Sequence, residues 1–279
     1  MRKPDALLLS AAVCALFLSG CAVHAQPAES GSALTGVVNT DGSTSMEKTV
    51  KALGEMYMSR HSGVTINFTG SGSGAGVESV LHGIADLGLV SRPLTQGETA
   101  DGAVGHLVAL DGIAVVIHPQ NPVNDLTMKQ VVQIFTGQAI NWSELGGADA
   151  PIAAYGREGG SGTRGAFEET LGVEDLCVYT NEYSSSGDVT GSVAGNPNAI
   201  GYVSLSAVND SVKALYIEGA ACTEDTIRDG SYPLQRPFLM VTKEGVALSP
   251  AAQAFLDYAT SSDAAGVIAL AGVTAPEYE

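Results

Sequence analysis

Three segments of this chain combine glycine with serine or threonine just ahead of a stretch with helical spacing: Gly42-Ser43-Thr44-Ser45-Met46, Gly70-Ser71-Gly72-Ser73-Gly74-Ala75-Gly76 and Gly159-Gly160-Ser161-Gly162-Thr163. A helix N-terminus leaves backbone N–H groups unpaired and carries the positive end of the helix dipole. Glycine lets the backbone come close, and hydroxyls add further donors. One such loop is an ordinary N-cap. Three aimed at one point would make an oxyanion receptor. Arg157, two residues before Gly159, adds a guanidinium able to fork onto two oxygens of a tetrahedral anion. Arg164, a turn into the next helix, is the weaker candidate, because a solvated or ion-paired helix position accounts for it better than ligand contact does.

Catalytic readings fail on the same segments. Gly160-Ser161-Gly162 lacks the nucleophile-elbow frame, since glycine would have to stand where Thr163 does, and no lysine follows a glycine, so there is no Walker A loop. The histidines, at 24, 61, 82, 106 and 118, are never three or four apart, and C-x-x-C is absent, so no local zinc motif is present. No nucleophile and base declare themselves by spacing. The expectation is a binding protein rather than an enzyme, with neither catalytic residues, metal nor cofactor.

Loops of this kind must be held by alternating strands and helices. Met46, Val50, Leu53 and Tyr57 recur at helical spacing, whereas Val64, Ile66 and Phe68 alternate as a half-buried strand does. The same patterning predicts helices near 75–84, 127–136, 162–171, 187–194, 249–260 and 263–271. Strands are predicted near 86–90, 112–117, 152–155, 199–203, 213–217 and 237–242. Such alternation implies an α/β fold with largely parallel sheets. Ser249-Pro250 reads as an N-cap followed by proline at the first helical position.

Composition narrows the class. With 45% hydrophobic residues, 15% charged residues and 34 glycines, the chain is a loop-rich globular protein and not disordered, coiled-coil or collagen-like. Removing a twenty-residue leader from 279 residues leaves 259, more than one core usually holds, so two lobes are expected. The net charge is −17, and losing Arg2, Lys3 and Asp5 with the leader makes it −18. A basic footprint for nucleic acid is therefore missing.

Arg2 and Lys3 precede an apolar run, Ala6 to Gly20, too short to span a bilayer but suited to an export signal. Residues 1–20 are read as that signal peptide. Leu18-Ser19-Gly20-Cys21 resembles the bacterial lipobox, in which cleavage before the cysteine leaves a thiol that receives lipid; residues 21–33 would then be a lipidated tether. Cleavage after Ala25 in Val23-His24-Ala25 is the alternative. With Cys14 removed and Cys21 acylated, Cys177 and Cys222 remain in an oxidising compartment, either as a disulfide or as two buried thiols.

Taken in order along residues 34–279, these features resemble the phosphate-binding protein of bacterial phosphate ABC importers. The marks are the three glycine-serine loops, Ala85-Asp86-Leu87-Gly88 leading to Ser91-Arg92, and Asp111-Gly112-Ile113-Ala114. Further marks are Ile134-Phe135-Thr136-Gly137 with Asn141-Trp142, Arg157 to Thr163, Asn196 to Tyr202, and Tyr232-Pro233-Leu234 with Arg236-Pro237. The resemblance implies a two-lobed periplasmic-binding-protein fold (type II), each lobe a mixed, mostly parallel sheet flanked by helices with the ligand in the cleft between them, lobe one from 34–112 and 238–279 and lobe two from 113–237. It implies phosphate contacts from Thr44 and Ser45, with Ser43 beside them, from Ser73 and Ser91, and from Arg157, Ser161, Gly162 and Thr163. It also implies a monomer outside the cell membrane or in the periplasm, touching the membrane only through its lipid, that hands inorganic phosphate to permease subunits of an ABC importer.

One departure matters. A branch of the family places an aspartate where Ser91 stands here, so the carboxylate expected at the ligand must come from elsewhere. Phosphate near neutral pH keeps a proton that needs an acceptor, and sulfate does not, so a carboxylate would favour the former. Asp111 is chosen for that contact, with Asp86 the rival. Receptors for sulfate, molybdate or a phosphonate, and an extracytoplasmic phosphatase, are the alternatives. Substituting Cys21→Ser should release the protein from membranes; a wild-type mature chain that begins at Gln26 and carries no lipid by intact mass would contradict the anchor.

Overall fold

The computed structural model describes residues 34–278, so the expected signal peptide, the expected lipidation site at Cys21 and the expected tether lie outside the described residues. Strands and helices alternate: β1 (Thr35–Gly42), α1 (Glu47–Arg60), β2 (Gly63–Thr69), α2 (Ser73–Leu81), β3 (Leu87–Val90), α3 (Gln96–Ala100), β4 (Ala103–Ile117), β5 (Asp125–Leu126), α4 (Met128–Phe135) and β6 (Ala153–Arg157). There follow α5 (Gly162–Leu171), β7 (Asn181–Tyr183), α6 (Ser186–Ala194), β8 (Ala199–Ser204), β9 (Lys213–Ala214), β10 (Tyr216–Ile217), α7 (Glu224–Arg228), β11 (Gln235–Lys243), α8 (Pro250–Ala259) and α9 (Ala265–Leu270). Local signals account for several of the helix starts. Ser249 caps α8 with Pro250 in its first turn, and Thr127 with Gln130 forms a capping box on α4.

The main sheet runs β2-β1-β3-β11-β4-β8-β6-β7, with β9 also on β4. Its flanks are parallel, as β1 with β2 and β3, and β6 with β7 and β8. Its centre is antiparallel, because β11 returns between β3 and β4 and β8 lies against β4. Two large hydrophobic cores flank this centre, beside a small cluster of Val77, Val90, Ala103 and Val241. Val38, Leu53, Leu89, Phe238 and Phe255 belong to one, built from residues 38–109 and 238–273; Phe135, Trp142, Phe167 and Tyr202 belong to the other, built from 113–234.

The strand joining them is β4. Residues 103–112 pair with β11, and from Ile113 onward the strand pairs with β8. Gly112 marks the change of partner. A Cβ there would meet the Cys222 Sγ at 2.5 Å and the Ile227 Cδ1 at 2.8 Å, so only glycine fits. The pattern at 112–117 thus found the final, wholly buried part of a 15-residue strand. Its first part, interrupted by Gly105 and His106, was not anticipated, nor was β1, whose alternation is blurred by Asn39, Thr40 and Asp41.

The disulfide expectation is corrected: Cys177 and Cys222 are both free. Cys222 is buried near Asp111, Tyr232 and Arg236, whereas Cys177 lies by Tyr179, Glu168 and Arg164. Burial raises the Cys177 thiol to about 11 and the Cys222 thiol further still. Both are therefore poor nucleophiles at neutral pH. Mature Cys21→Ser protein, unfolded without reductant, should titrate two thiols with Ellman's reagent; none would restore the disulfide.

Candidate functional site

Ligand crevices in open α/β sheets lie beyond the carboxyl ends of the strands. Four such ends deliver the candidate residues here: β1 stops at Gly42, β2 at Thr69 and β6 at Arg157, each ahead of a glycine-serine loop, and β3 stops at Val90, just before Ser91. Gly42 must be glycine: its φ is 140°, and a Cβ would sit 2.2 Å from the Leu89 carbonyl oxygen. Asp41 orders the second loop by accepting from the hydroxyls of Ser71, at 2.5 Å, and Ser79, at 2.6 Å.

Hydroxyls from these loops converge. Ser43 donates to the Ser91 Oγ at 2.7 Å, and the Ser91 amide donates to the Ser73 Oγ at 3.1 Å. The Ser45 Oγ lies 2.6 Å from the Thr163 Oγ1 and 3.1 Å from the Ser186 Oγ, so it links the first core to the second. Gly162 packs where no side chain could go, because a Cβ would come within 2.1 Å of the Ser73 Oγ and 2.6 Å of the Ser91 Oγ. Ser161 is the exception among the expected ligands. Its hydroxyl caps α5, accepting from the Arg164 amide at 3.4 Å.

Arg157 lies at the centre and is 2% exposed. Its Nε donates to the Tyr183 carbonyl (3.1 Å), its Nη1 to the Ser186 Oγ (3.2 Å), and its Nη2 to the Ser184 carbonyl (2.7 Å) and Thr44 Oγ1 (3.1 Å). Among the described residues no carboxylate lies within 4 Å of it; the ion pairs there belong to other cations. Burial, and next the neighbouring Arg236, lower its pKa to about 10, which leaves it protonated at neutral pH. Arg164 behaves otherwise. It pairs with Glu168 and Glu182, each at 2.8 Å, and holds the Arg157 carbonyl at 3.0 Å.

Asp111 is fully buried, but its carboxylate is already engaged. Oδ2 takes the Arg236 Nε at 3.0 Å and Nη2 at 2.8 Å, and Oδ1 takes the Ser204 hydroxyl at 2.8 Å, with the Leu205 amide alongside. Arg236 in turn donates through Nη1 to the Ser91 carbonyl and Oγ, both at 3.3 Å. Asp111 thus reaches the hydroxyl cluster through Arg236. Asp86 sits just before the opposite end of β3, accepting from the Asn39 amide at 2.8 Å.

Sequence reasoning missed Ser186, Arg236 and Ser204. Ser186 had a visible signal, for Ser184-Ser185-Ser186-Gly187 is a fourth serine-glycine run opening a helix. Arg236 had none, because its partner is 125 residues away.

With that geometry established, a family model described as a PBP superfamily domain matches residues 24–263. The phosphate-binding protein PstS of Bacillus subtilis is 34% identical over 235 residues, covering 82% of this chain and 77% of its own. This chain belongs to the PstS phosphate-binding proteins of the PBP superfamily. Another member, PstS of Pseudomonas aeruginosa, is 31% identical over 239 residues, covering 76% of this chain and 74% of its own. A solved Clostridium perfringens structure, described as a phosphate ABC transporter substrate-binding protein with bound phosphate, superimposes with a TM-score of 0.84 at 38% identity. It covers 87% of this chain and all of the other. An ABC-type phosphate transport receptor from Vibrio cholerae gives 0.71 at 33% identity, covering 86% of this chain and 100% of its own.

The pairing of Asp111 with Arg236 sets up a stability test. Asp111→Asn strands a guanidinium that is 3% exposed, and should cost about 3–5 kcal/mol in urea unfolding. Replacing both partners with apolar residues, as in Asp111→Leu with Arg236→Met, should recover most of the loss.

Proposed function

We propose that this chain is a non-enzymatic receptor that binds inorganic phosphate among the hydroxyls of Ser43, Thr44, Ser45, Ser73, Ser91 and Thr163, and delivers it to an ABC permease. The observation that carries this reading is the buried Arg157 guanidinium without a carboxylate partner. An uncompensated buried charge is costly, and a ligand anion offsets it. The two N–H donors that rest on the Ser186 and Thr44 hydroxyls, one on Nη1 and one on Nη2, turn to two oxygens of a tetrahedral anion, and the hydroxyls and the loop amides at Gly162 and Thr163 take the others. The names of the relatives and the phosphate bound in the Clostridium structure support the same ligand.

The two cores are proposed to act as lobes, 34–112 with 238–279 and 113–237, that close on the anion. Ser45 to Thr163 is then a contact made on closing. Ser161 serves by capping α5, and Asp111 by holding Arg236 toward Ser91. The phosphate proton is taken by a serine or threonine oxygen, since each hydroxyl accepts as well as donates. Export, and anchoring outside the cell through a lipid on Cys21, are part of the same proposal. Among the described residues no helix is long and apolar enough to cross a membrane.

A second oxyanion, sulfate, is favoured by one observation: the carboxylate of Asp111 is committed to Arg236 and Ser204. Calorimetry with phosphate, arsenate and sulfate separates the readings, and tighter binding of sulfate than phosphate would overturn the first. Arg157→Ala should weaken phosphate binding by about 2–5 kcal/mol, the range for truncating one partner of a buried charge pair. Arg157→Lys should recover only part, because an ammonium cannot fork. Arg164→Ala should lower thermal stability more than affinity, given its two carboxylate partners.

A further inference from the structure

Two grooves on the surface bring together residues from both cores, and they differ in charge. One, about 470 Å³, is lined by Arg92, Arg164, Glu168, Glu169, Glu174 and Asp175. Its cations are spent: Arg92 pairs with Glu98 at 2.6 Å and Arg164 with Glu168 and Glu182. The surplus there is negative, which repels an anion.

The other groove, about 300 Å³, reaches the anion site itself, because Thr44, Ser45 and Ser186 form part of its wall. The rest of its lining includes Glu47, Lys48 and Lys51 from α1, and Ser206 from the second core. Glu47 is the one acid in that lining, and Lys51 neutralises it at 2.6 Å. Lys48 is exposed, and no carboxylate lies within 4 Å of it among the described residues. Its amine lies where the cores meet. A Cβ placed on Gly272 would be 3.7 Å from the Lys48 Nζ and 3.6 Å from the Ser206 Cα.

We propose that Lys48 is a capture residue for the anion, guiding it through this groove to Thr44, Ser45 and Arg157. The inference rests on reading the site as a phosphate receptor. A chain of charge −17 repels a phosphate dianion at long range, so a local positive potential at the groove affects the rate at which the ligand arrives. Bound phosphate is held by Arg157 and the hydroxyls, so Lys48 contributes little to retention. A rim charge of this kind changes the association rate and its salt dependence rather than the dissociation rate.

Calorimetry gives Kd and ³¹P exchange spectroscopy gives the dissociation rate, and their ratio gives the association rate constant. At about 20 mM salt, Lys48→Glu should slow association about five- to tenfold, with dissociation changed less than twofold. At about 0.5 M salt the difference should nearly vanish. Lys48→Arg should behave as wild type. Lys129→Glu, the same charge change on α4 outside either groove, should slow association less than twofold. Equal slowing by Lys48→Glu and Lys129→Glu would reduce the effect to net charge and overturn the proposal, as would an unchanged association rate for Lys48→Glu. Failure of the wild type to bind phosphate at all would instead overturn the receptor reading.

Discussion

A guanidinium buried without a counter-ion is the constraint around which this protein is arranged. Arg157 spends its donors on two backbone carbonyls and two hydroxyls, none of which carries a charge to balance its own. Such a group is tolerated only where the surrounding scaffold fixes it in place. Tyr202, stacked on Phe167 with centroids 4.0 Å apart, receives the Arg157 amide, and Arg164 grips its carbonyl. The second core thus holds the backbone of this one residue from both sides. The first core supplies the partner for its outer nitrogen through Thr44.

The neighbouring pair of Arg236 and Asp111 resolves the same difficulty differently. There the positive charge is neutralised inside the chain, across directly opposed residues of β11 and β4. Its remaining nitrogen reaches Ser91 from the first core, while the carboxylate holds Ser204 at the end of β8. One ion pair therefore ties the base of the hydroxyl cluster to the strands that pass between the cores. Two arginines lie close together, but of the two only Arg236 has a carboxylate partner among the described residues.

What could be read from the residues alone was local. Glycine-serine loops ahead of helices are written in consecutive positions, so Ser43 to Ser45, Ser73 and Ser161 to Thr163 were visible, as was Arg157 beside them. The α/β alternation was equally legible, because periodicity needs only a dozen residues. Contacts across long separations were not. Asp111 was expected to face the ligand, yet its nearest cation comes from 125 residues further along. A mixed sheet was expected, but the place of its antiparallel strands was not readable for the same reason, since β11 enters between β3 and β4 from the far end of the chain. Cys177 and Cys222 show the opposite error: elimination suggested a bond, and the fold gives each thiol separate surroundings.

The path of the chain also dictates the order in which a newly made polypeptide can settle. The second core is contiguous, from Ile113 to Leu234, whereas the first needs Phe238, Phe255 and Val273 to close over residues 38–109. An N-terminal stretch emerging alone has strands β1 to β3 with one flank unpaired, and must wait for β11 to cover it. Such long-range pairing is slow and leaves a sheet edge open meanwhile. The half synthesised in the middle can be finished while the half begun first is still incomplete. The three glycine-serine loops and Arg157 meet only after almost the whole chain has been made.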